Sequence, residues 1–541
     1  MRRRDFLKAA GTSAAALAAG SLASGCATGI EPFEPDSGWR AGGVAHLIPT
    51  ADHERIRIKA SFRQIQMQQP TLRAAGRSVP GERTDSAGRF FVFDVRGLEP
   101  ATEYPLALLA ADGTPLCDPW PLRTLPAPGA RVERLRVLAY TCAGGSELFY
   151  HPWRGRIFIP IPYRQRLLAR ALEFRPDAVI ANGDHVYWDI LSSAGIAMGR
   201  SPQAWWVAGR FDRSQPVIGT ANEQVLVKGF GPQIAGLYGT QLRSVPSWFL
   251  QDDHDYTEND EASEELRTFP PDAFMLDAAR TTQRLFYPEF IAPPDLPPAF
   301  VSADGLSESF GSLRYGQLAE ALLYDCRRYM ENDRDPARDD KIGRFVPEEI
   351  ERWLIGRTLR SGPAHLVHAP STPVLWTAGK WGEWYPDVLG PGDRMTTSVP
   401  KPYWSPGWQL QQERLLGAGS ARRDRVPLWV SGDLHAIGAG QIRRTGRLDL
   451  TANPVVSILS GPLASDGPSF PSRFRGQAPV PSLTLDAEEW VQPIEENGFT
   501  LLDFTPNTVR VSLFRWKPED GVGQIARLEP FWTREFARPK A

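Results

Sequence analysis

Four short stretches of this chain carry side chains of the types that hold metal ions. "AYTCAGG" offers Cys142, "IANGDHVYWD" offers Asp184, His185 and Tyr187, "WFLQDDHDYTEND" offers Asp252, Asp253, His254 and Asp255, and "WVSGDLHAIG" offers Asp433 and His435. Carboxylate, imidazole, thiol and phenol groups together suit a Lewis-acidic cation, beside which a histidine or carboxylate can move a proton. Singly, each stretch has a plainer meaning. An aspartate after a strand is usually a cap or turn residue, and a lone histidine usually packs. Met four times between residues 142 and 435, that plainer meaning becomes the poorer explanation.

Each stretch follows an apolar run with the character of a buried strand: "RLRVLAY", "PDAVIAN", "VPSWFL" and "VPLWVS". Between the first two, "YRQRLLARALEF" has helical spacing, so the order is strand, helix, strand. That order predicts a mainly parallel sheet covered by helices, with ligands collecting beyond the carboxyl ends of its strands. Cys142 and Asp184 fall at those ends. The region 134–520 is therefore expected to be the catalytic domain, its sheets closed by "NGFTLLDFTPNTVRVSLFRW", which alternates like two strands joined at Pro506-Asn507. Residues 40–128 read differently. "RIRIKASF" and "GRFFVFDV" alternate as half-buried strands do. "GLEPATEYPLALLAADG" looks like the late strands of a fibronectin type III or immunoglobulin-like β-sandwich, with Leu98 and Tyr104 at its corner.

Composition limits the function. At 541 residues the chain exceeds one ordinary core, and 42% hydrophobic with 23% charged residues is globular. A net charge of -2 without a basic stripe predicts no specific nucleic-acid binding. Residues 1–30 read as a signal peptide, too short and too weakly apolar to span a membrane. Arg3-Arg4-Asp5-Phe6-Leu7-Lys8 resembles a twin-arginine signal, which makes the twin-arginine export machinery a partner and the periplasm or the extracellular space the destination. Leu22-Ala23-Ser24-Gly25-Cys26 resembles a lipobox, so a lipidated Cys26 anchoring the protein to the envelope stands beside simple cleavage. Cys117, Cys142 and Cys326 then remain, an odd number that leaves at least one free.

The order of the four stretches resembles a known series. Gly183-Asp184, Asp253-His254-Asp255 and Gly432-Asp433-Leu434-His435 are similar to the metallophosphoesterase motifs Gly-Asp, Gly-Asn-His-Asp/Glu and Gly-His-x-His, with aspartates at the Asn and first His positions. The opening Asp-x-His of that superfamily is replaced by Tyr140-Thr141-Cys142. These departures match the PhoD-like alkaline phosphatase family, whose motifs run Ser-Cys, Gly-Asp-x-x-Tyr, Asp-Asp-His-Asp/Glu and Ser-Gly-Asp-x-His. "LLYDCRRYM" and "YWSPGWQLQQERLL" resemble two further segments of the family, and "TEND", with Asn259 and Asp260, a third.

The resemblance implies an α/β fold: a four-layer α/β/β/α metallophosphoesterase sandwich behind an N-terminal fibronectin type III or immunoglobulin-like β-sandwich. Asp184 would bridge two metal ions, Cys142 and Tyr187 would be thiolate and phenolate ligands of one of them, and Asp253, Asp433 and His435 would complete the centre. His254 would contact the substrate phosphate or protonate the leaving oxygen, and Arg327 would clamp phosphate, with Arg328 as its rival. Asp252 and Asp255 would either join the ligands or only orient their neighbours, and His185 should point away. A thiolate with a phenolate favours ferric iron and the oxygen-rich remainder calcium, other divalent metals being alternatives. The implied reaction is hydrolysis of a phosphate monoester or diester by a metal-activated hydroxide. The substrate would be a small phosphate ester or a lipid or nucleotide diester.

Two Trp-rich segments, 192–248 and 376–408 with Lys380, would form walls or a lid over the metals, or pack between the domains. Two alternatives stand beside a phosphatase. One is a phospholipase or phosphodiesterase of the same fold. The other is a non-catalytic envelope protein that binds a partner, against which the joint presence of Cys142 and Tyr187 argues.

Overall fold

The first strands show why the N-terminal alternation has two readings. In the computed structural model, β1 (Val44–Ala51), β2 (Arg55–Phe62), β5 (Glu82–Arg83) and β6 (Phe90–Arg96) form one antiparallel sheet, in the order β1-β2-β6-β5. A second sheet has the order β4-β3-β7-β8, from β3 (Thr71–Ala74), β4 (Arg77–Pro80), β7 (Glu103–Leu109) and β8 (Trp120–Arg123). Ile56, Ile58 and Phe62 share one core with Leu72, Leu106 and Trp120 from the second sheet. The Tyr104 hydroxyl accepts the Glu99 N–H at 2.8 Å. A half-buried β2 was the expectation, yet all eight of its residues are buried. The reason is that its polar face carries Arg55, Arg57 and Lys59, and these are covered rather than solvated. Lys59 Nζ lies 3.0 Å from Glu289 and donates to Arg284 O at 2.8 Å.

Beyond the linker, two larger sheets carry the chemistry. The six-stranded one has the order β11-β10-β9-β20-β21-β22, from β9 (Leu135–Tyr140), β10 (Ala178–Asn182), β11 (Ser247–Leu250), β20 (Asn497–Phe504), β21 (Thr508–Trp516) and β22 (Trp532–Ala537). Its first three strands are parallel, and β20 pairs antiparallel with β9. The other sheet contains β12 (Phe310–Tyr315), β13 (Ala319–Tyr324), β14 (His365–Pro370), β15 (Leu428–Ser431), β16 (Ile437–Thr445), β17 (Leu448–Asp449) and β18 (Val455–Ser460), ordered β12-β13-β14-β15-β18-β16-β17, with β19 (Leu485–Ile494) added on β16. The strand β22 extends the six-stranded sheet beyond residue 520, where the domain was expected to end, because it pairs along β21.

Side chains alternate between two cores, as the pleat requires. Val137, Ala139 and Ile180 of the six-stranded sheet share a cluster with Ala321, Leu323, Val430 and Ile458 of the other. Leu138, Tyr140 and Val179 point the opposite way, into a cluster with α1 (Ile161–Glu173), α2 (Ala221–Tyr238) and α3 (Ala273–Phe286). Leu322, Leu366 and Trp429 likewise meet α4 (Glu348–Leu359) and α5 (Pro406–Ala421). Strands buried on both faces must read as continuous apolar runs, which is how they stand in the sequence.

Trp39–Ala541 is one compact unit. The structure describes residues 33, 38–147, 150–151, 155–188, 208–256, 270–331, 343–377, 406–467, 472 and 478–539. The signal segment 1–30 with Cys26, and Asn259, Asp260 and Lys380, lie outside them. Residues 192–207 and 378–405 of the Trp-rich segments also lie outside the described residues; in the described parts the aromatic side chains are core, Phe211 packing on Trp188 and Phe230, and Trp376 and Trp408 buried with α4 and α5.

Candidate metal centre

The strand ends of the two sheets are stitched together by short polar contacts. Thr141 Oγ1 donates to Asn182 O at 2.6 Å, and the Asn182 amide donates to Pro370 O and Val430 O at 3.0 and 3.3 Å. Two glycines permit this approach. A Cβ on Gly183, where φ is +82°, would stand 2.4 Å from Asp252 Cβ, and one on Gly432 would stand 2.2 Å from Thr141 Oγ1. The "GD" of two motifs thus has a packing cause for its first residue and a chemical cause for its second.

The side chains then converge on Asp184. Its Oδ2 lies 3.3 Å from Cys142 Sγ, 2.7 Å from the Tyr187 hydroxyl and 3.9 Å from His435 Nε2. The Tyr187 oxygen is also 2.7 Å from His435 Nε2. Cys142, Asp184 and His435 form one group with metal-ligating spacing, and Asp184, Asp252 and Asp253 form a second that shares Asp184. Asp184 therefore stands between two sets of donors. Asp433 is beside them, paired with Arg327 at 3.0 Å, but belongs to neither group. His254 is buried with its ring 4.2 Å from that of Tyr187.

The backbone is strained at these positions. Cys142, Asp184, Asp433 and His435 have φ of 47°, 60°, 70° and 48°, a region costing about 1–3 kcal/mol for residues with a Cβ. Asp255 holds much of this shape. Its carboxylate accepts the N–H groups of Asp184, His185, Val186 and Asp252 at 2.7 to 3.2 Å. The orienting role is what the geometry shows for it. Of the two roles open to Asp252, the structure places it among the donors, just ahead of the 3-10 turn Asp253–Asp255. Arg327 Nε donates to Asp252 at 2.7 Å, which fixes that carboxylate opposite Asp433. Arg328 is spent elsewhere, on Tyr256, Gln251 and Glu308. His185 turns away, its Nε2 2.6 Å from Leu250 O. Ser465, which no motif signalled, sets His435, with Oγ 2.9 Å from Nδ1, so that Nε2 faces the cluster.

The protein alone leaves this cluster electrostatically incomplete. Burial, and then Asp253, push the Asp184 carboxyl well above its usual range, and burial likewise pushes Asp252 well up against the pull of Arg327. Burial followed by Asp184 raises the Cys142 thiol and the Tyr187 hydroxyl well above theirs. Among the described residues, Asp252 Oδ2 has no hydrogen-bond partner. Acids so crowded ionise together only if cations join them, and a coordinated thiol loses its proton outright. The donor set fits metal ions.

A mixed α/β fold whose two main sheets present such donors at their joined strand ends is that of a metal-dependent phosphoesterase. The profile of the family described as PhoD-like phosphatase matches residues 236–513, more than half of the chain, and the chain belongs to that family. The matched span includes Asp252 to Arg328, Asp433 and His435, whereas Cys142, Asp184 and Tyr187 precede it. A solved structure of PhoD is similar over 94% of this chain and 92% of its own, with a TM-score of 0.57 at 13% identity. The purple acid phosphatase PPD1 from seeds of yellow lupin, Lupinus luteus, is similar over 91% of this chain and 74% of its own, with a TM-score of 0.50 at 12% identity. At these identities the likeness is one of fold. No curated protein matches the sequence. The family makes the chain a phosphatase, a hydrolase that binds metal, and sets aside the non-catalytic reading.

Proposed function

We propose that this protein is an exported phosphoesterase that hydrolyses phosphate monoesters, diesters or both at a ferric iron and calcium centre. The observation that carries the reading is the convergence of a thiol, a phenol and an imidazole on the Asp184 carboxylate, with Asp252 and Asp253 grouped on the same residue. When bound, the ions would supply Lewis acidity at a phosphoryl oxygen and acidify a water. Asp184 would be shared between them, with Cys142, Tyr187 and His435 holding the iron and Asp252, Asp253 and Asp433 the harder ion.

The remaining roles belong to the chain's own side chains. His254, stacked on Tyr187, would contact the phosphate or return a proton to the departing alkoxide. Arg327 would bring a guanidinium to the phosphate oxygens from beside Asp252 and Asp433. Asp255 and Ser465 keep Asp184 and His435 in place. The sheets and their helical coats read as the four-layer α/β/β/α arrangement, and the two small sheets as a fibronectin type III or immunoglobulin-like module. The Arg3-Arg4 start supports twin-arginine export to the periplasm or beyond, and Cys26 a lipid anchor.

Elemental analysis and an absorption spectrum of the exported protein test this reading beside Cys142→Ala and Tyr187→Phe. Iron with a visible charge-transfer band, altered in the first variant and lost in the second, is expected, with turnover of an aryl phosphate monoester, an aryl diester or both. Folded protein that stays colourless and iron-free when iron is supplied would reject the centre.

A further inference from the structure

Helix α2 contains a run that helices avoid, Gly229-Phe230-Gly231-Pro232, followed by Gln233. An interior proline costs a helix about 3 kcal/mol and each glycine about 1. Packing explains Gly229, since a Cβ there would stand 2.7 Å from the Trp188 ring. The close approach brings the next turn of the helix onto the backbone of Tyr187. Gln233 is buried there, and its Oε1 accepts the N–H of Gly145 and the N–H of Tyr187, both at 2.7 Å. Its Nε2 donates to Tyr187 O at 3.1 Å and to Gly229 O at 2.9 Å. All four hydrogen-bonding places of the amide are filled.

One side chain thus joins the loop that follows Cys142 to the backbone of Tyr187. The same loop is gripped from its carbonyl side by the buried Arg164, whose Nη1 reaches the oxygens of Ala143, Gly144 and Gly145 at 3.2, 2.8 and 2.7 Å. Cys142 sits at a φ of 47°, and such a backbone persists only where its surroundings over-determine it. We propose that Gln233 is a positioning residue: it sets the separation of the Cys142 thiol and the Tyr187 hydroxyl, and through it the hold of that pair on its ion. The inference rests on the reading of Cys142 and Tyr187 as ligands.

Gln233→Met keeps the length and removes every polar contact. Gln165→Met is the control, because Gln165 also bonds α2, at Gly236 O, but on its exposed side. Iron affinity against a competing chelator, the visible band, and kcat and KM are measured on all three proteins. Groups that orient ligands are worth about 10–100-fold in affinity or activity. Gln233→Met is expected to lose that much iron affinity, to shift the band and to lower kcat more than KM, while Gln165→Met matches the wild type. A folded Gln233→Met protein with wild-type affinity and band overturns the proposal. If Gln233→Met does not fold, Gln233→Asn, one methylene too short to reach both N–H groups, is judged by the same two results. A wild type with no visible band defeats the iron assignment alone, and Gln233 is then judged on affinity for whichever ion the wild type retains.

Discussion

Two of the buried groups of charges among the described residues are built on opposite plans. On the outer face of β2, Arg55 pairs with Asp94 at 2.6 Å, Arg57 with Glu289 at 3.1 Å and Lys59 with Glu289 at 3.0 Å. Burial pushes Glu289 up, but Lys59 and Arg57 outweigh it and leave the carboxyl below its usual range. At the strand ends, Asp252 and Asp433 pair with Arg327 while Asp184, Asp253 and Asp255 crowd in beside Asp252, and burial wins at Asp184, Asp252 and Asp255, the last pushed up to about 7. In the first group every carboxylate is paired within the folded chain, and its excess is of cations, with burial and Arg57 lowering Lys59 to about 8 against the pull of Glu289. The second, set on strained backbone, is complete only with cations. A buried cluster whose carboxylates all meet cations of the chain fastens parts together, whereas one with acids in excess is a binding site that the fold tolerates.

The largest effect should come from Asp184→Asn. Losing the carboxylate common to both donor groups is expected to lower kcat/KM by about 10³-fold or more, several kcal/mol of charge stabilisation. The contrast makes a second demand on the same variant. After chelation, Asp184→Asn should melt at a higher temperature than chelated wild type, because one of the crowded acids is gone. Chelated wild type should itself melt below the metal-loaded protein. Differential scanning calorimetry with and without chelator reads all of this, and a chelated variant less stable than chelated wild type would break the comparison.

Glu289→Gln should do the reverse. It leaves Lys59 buried beside Arg57 without its counter-charge, and breaking a buried pair in this way costs about 3 kcal/mol. The kcat per folded molecule should stay at the wild-type value, since Glu289 joins the β2 face and not the centre. Urea denaturation with a parallel assay measures both. A loss of kcat without loss of stability would mean that the N-terminal sheets act on the centre directly.

The centre was largely legible in the sequence because metal donors must be particular residues, and strand ends mark where they gather. Cys142, Asp184, Tyr187, Asp253 and His435 meet as that logic requires. Adjacent acids were not legible: a strand turns neighbours to opposite faces, and it took the 3-10 turn after Gln251 to bring Asp252 in as well. Gln233 and Ser465 carry no motif, since an amide or hydroxyl that orients a ligand needs only the right place in space. The outer face of β2 was misread for a different reason. Alternating Arg, Arg and Lys look alike whether the face meets water or a layer bearing Glu289, and only the tertiary contact decides.

The effect that is smallest at neutral pH, and grows only in acid, concerns His46, buried on β1 with its ring against Phe286. Burial lowers its pKa from 6.5 to about 4, with Lys59 adding a smaller push the same way. The folded chain therefore holds a neutral imidazole. Below pH 6.5 the unfolded chain takes up a proton that the folded one refuses, so stability is intact above 6.5 and falls as pH drops toward 4. The slope is about 1.4 kcal/mol per pH unit for one proton. His185, His365 and His368 are lowered too, to about 3, 4 and 3, and contribute equally to any His46 variant. His46→Leu should then shed one proton's slope, so that its stability relative to wild type improves by about 3 kcal/mol between pH 7 and pH 4. Urea denaturation across that range tests it, and parallel curves would refute it. In the chelated protein Asp255 has the opposite sign, because a raised carboxyl stabilises while protonated and loses that as pH rises toward about 7. Acid should thus draw opposite contributions from His46 and Asp255, and the difference between wild type and His46→Leu isolates the first of them.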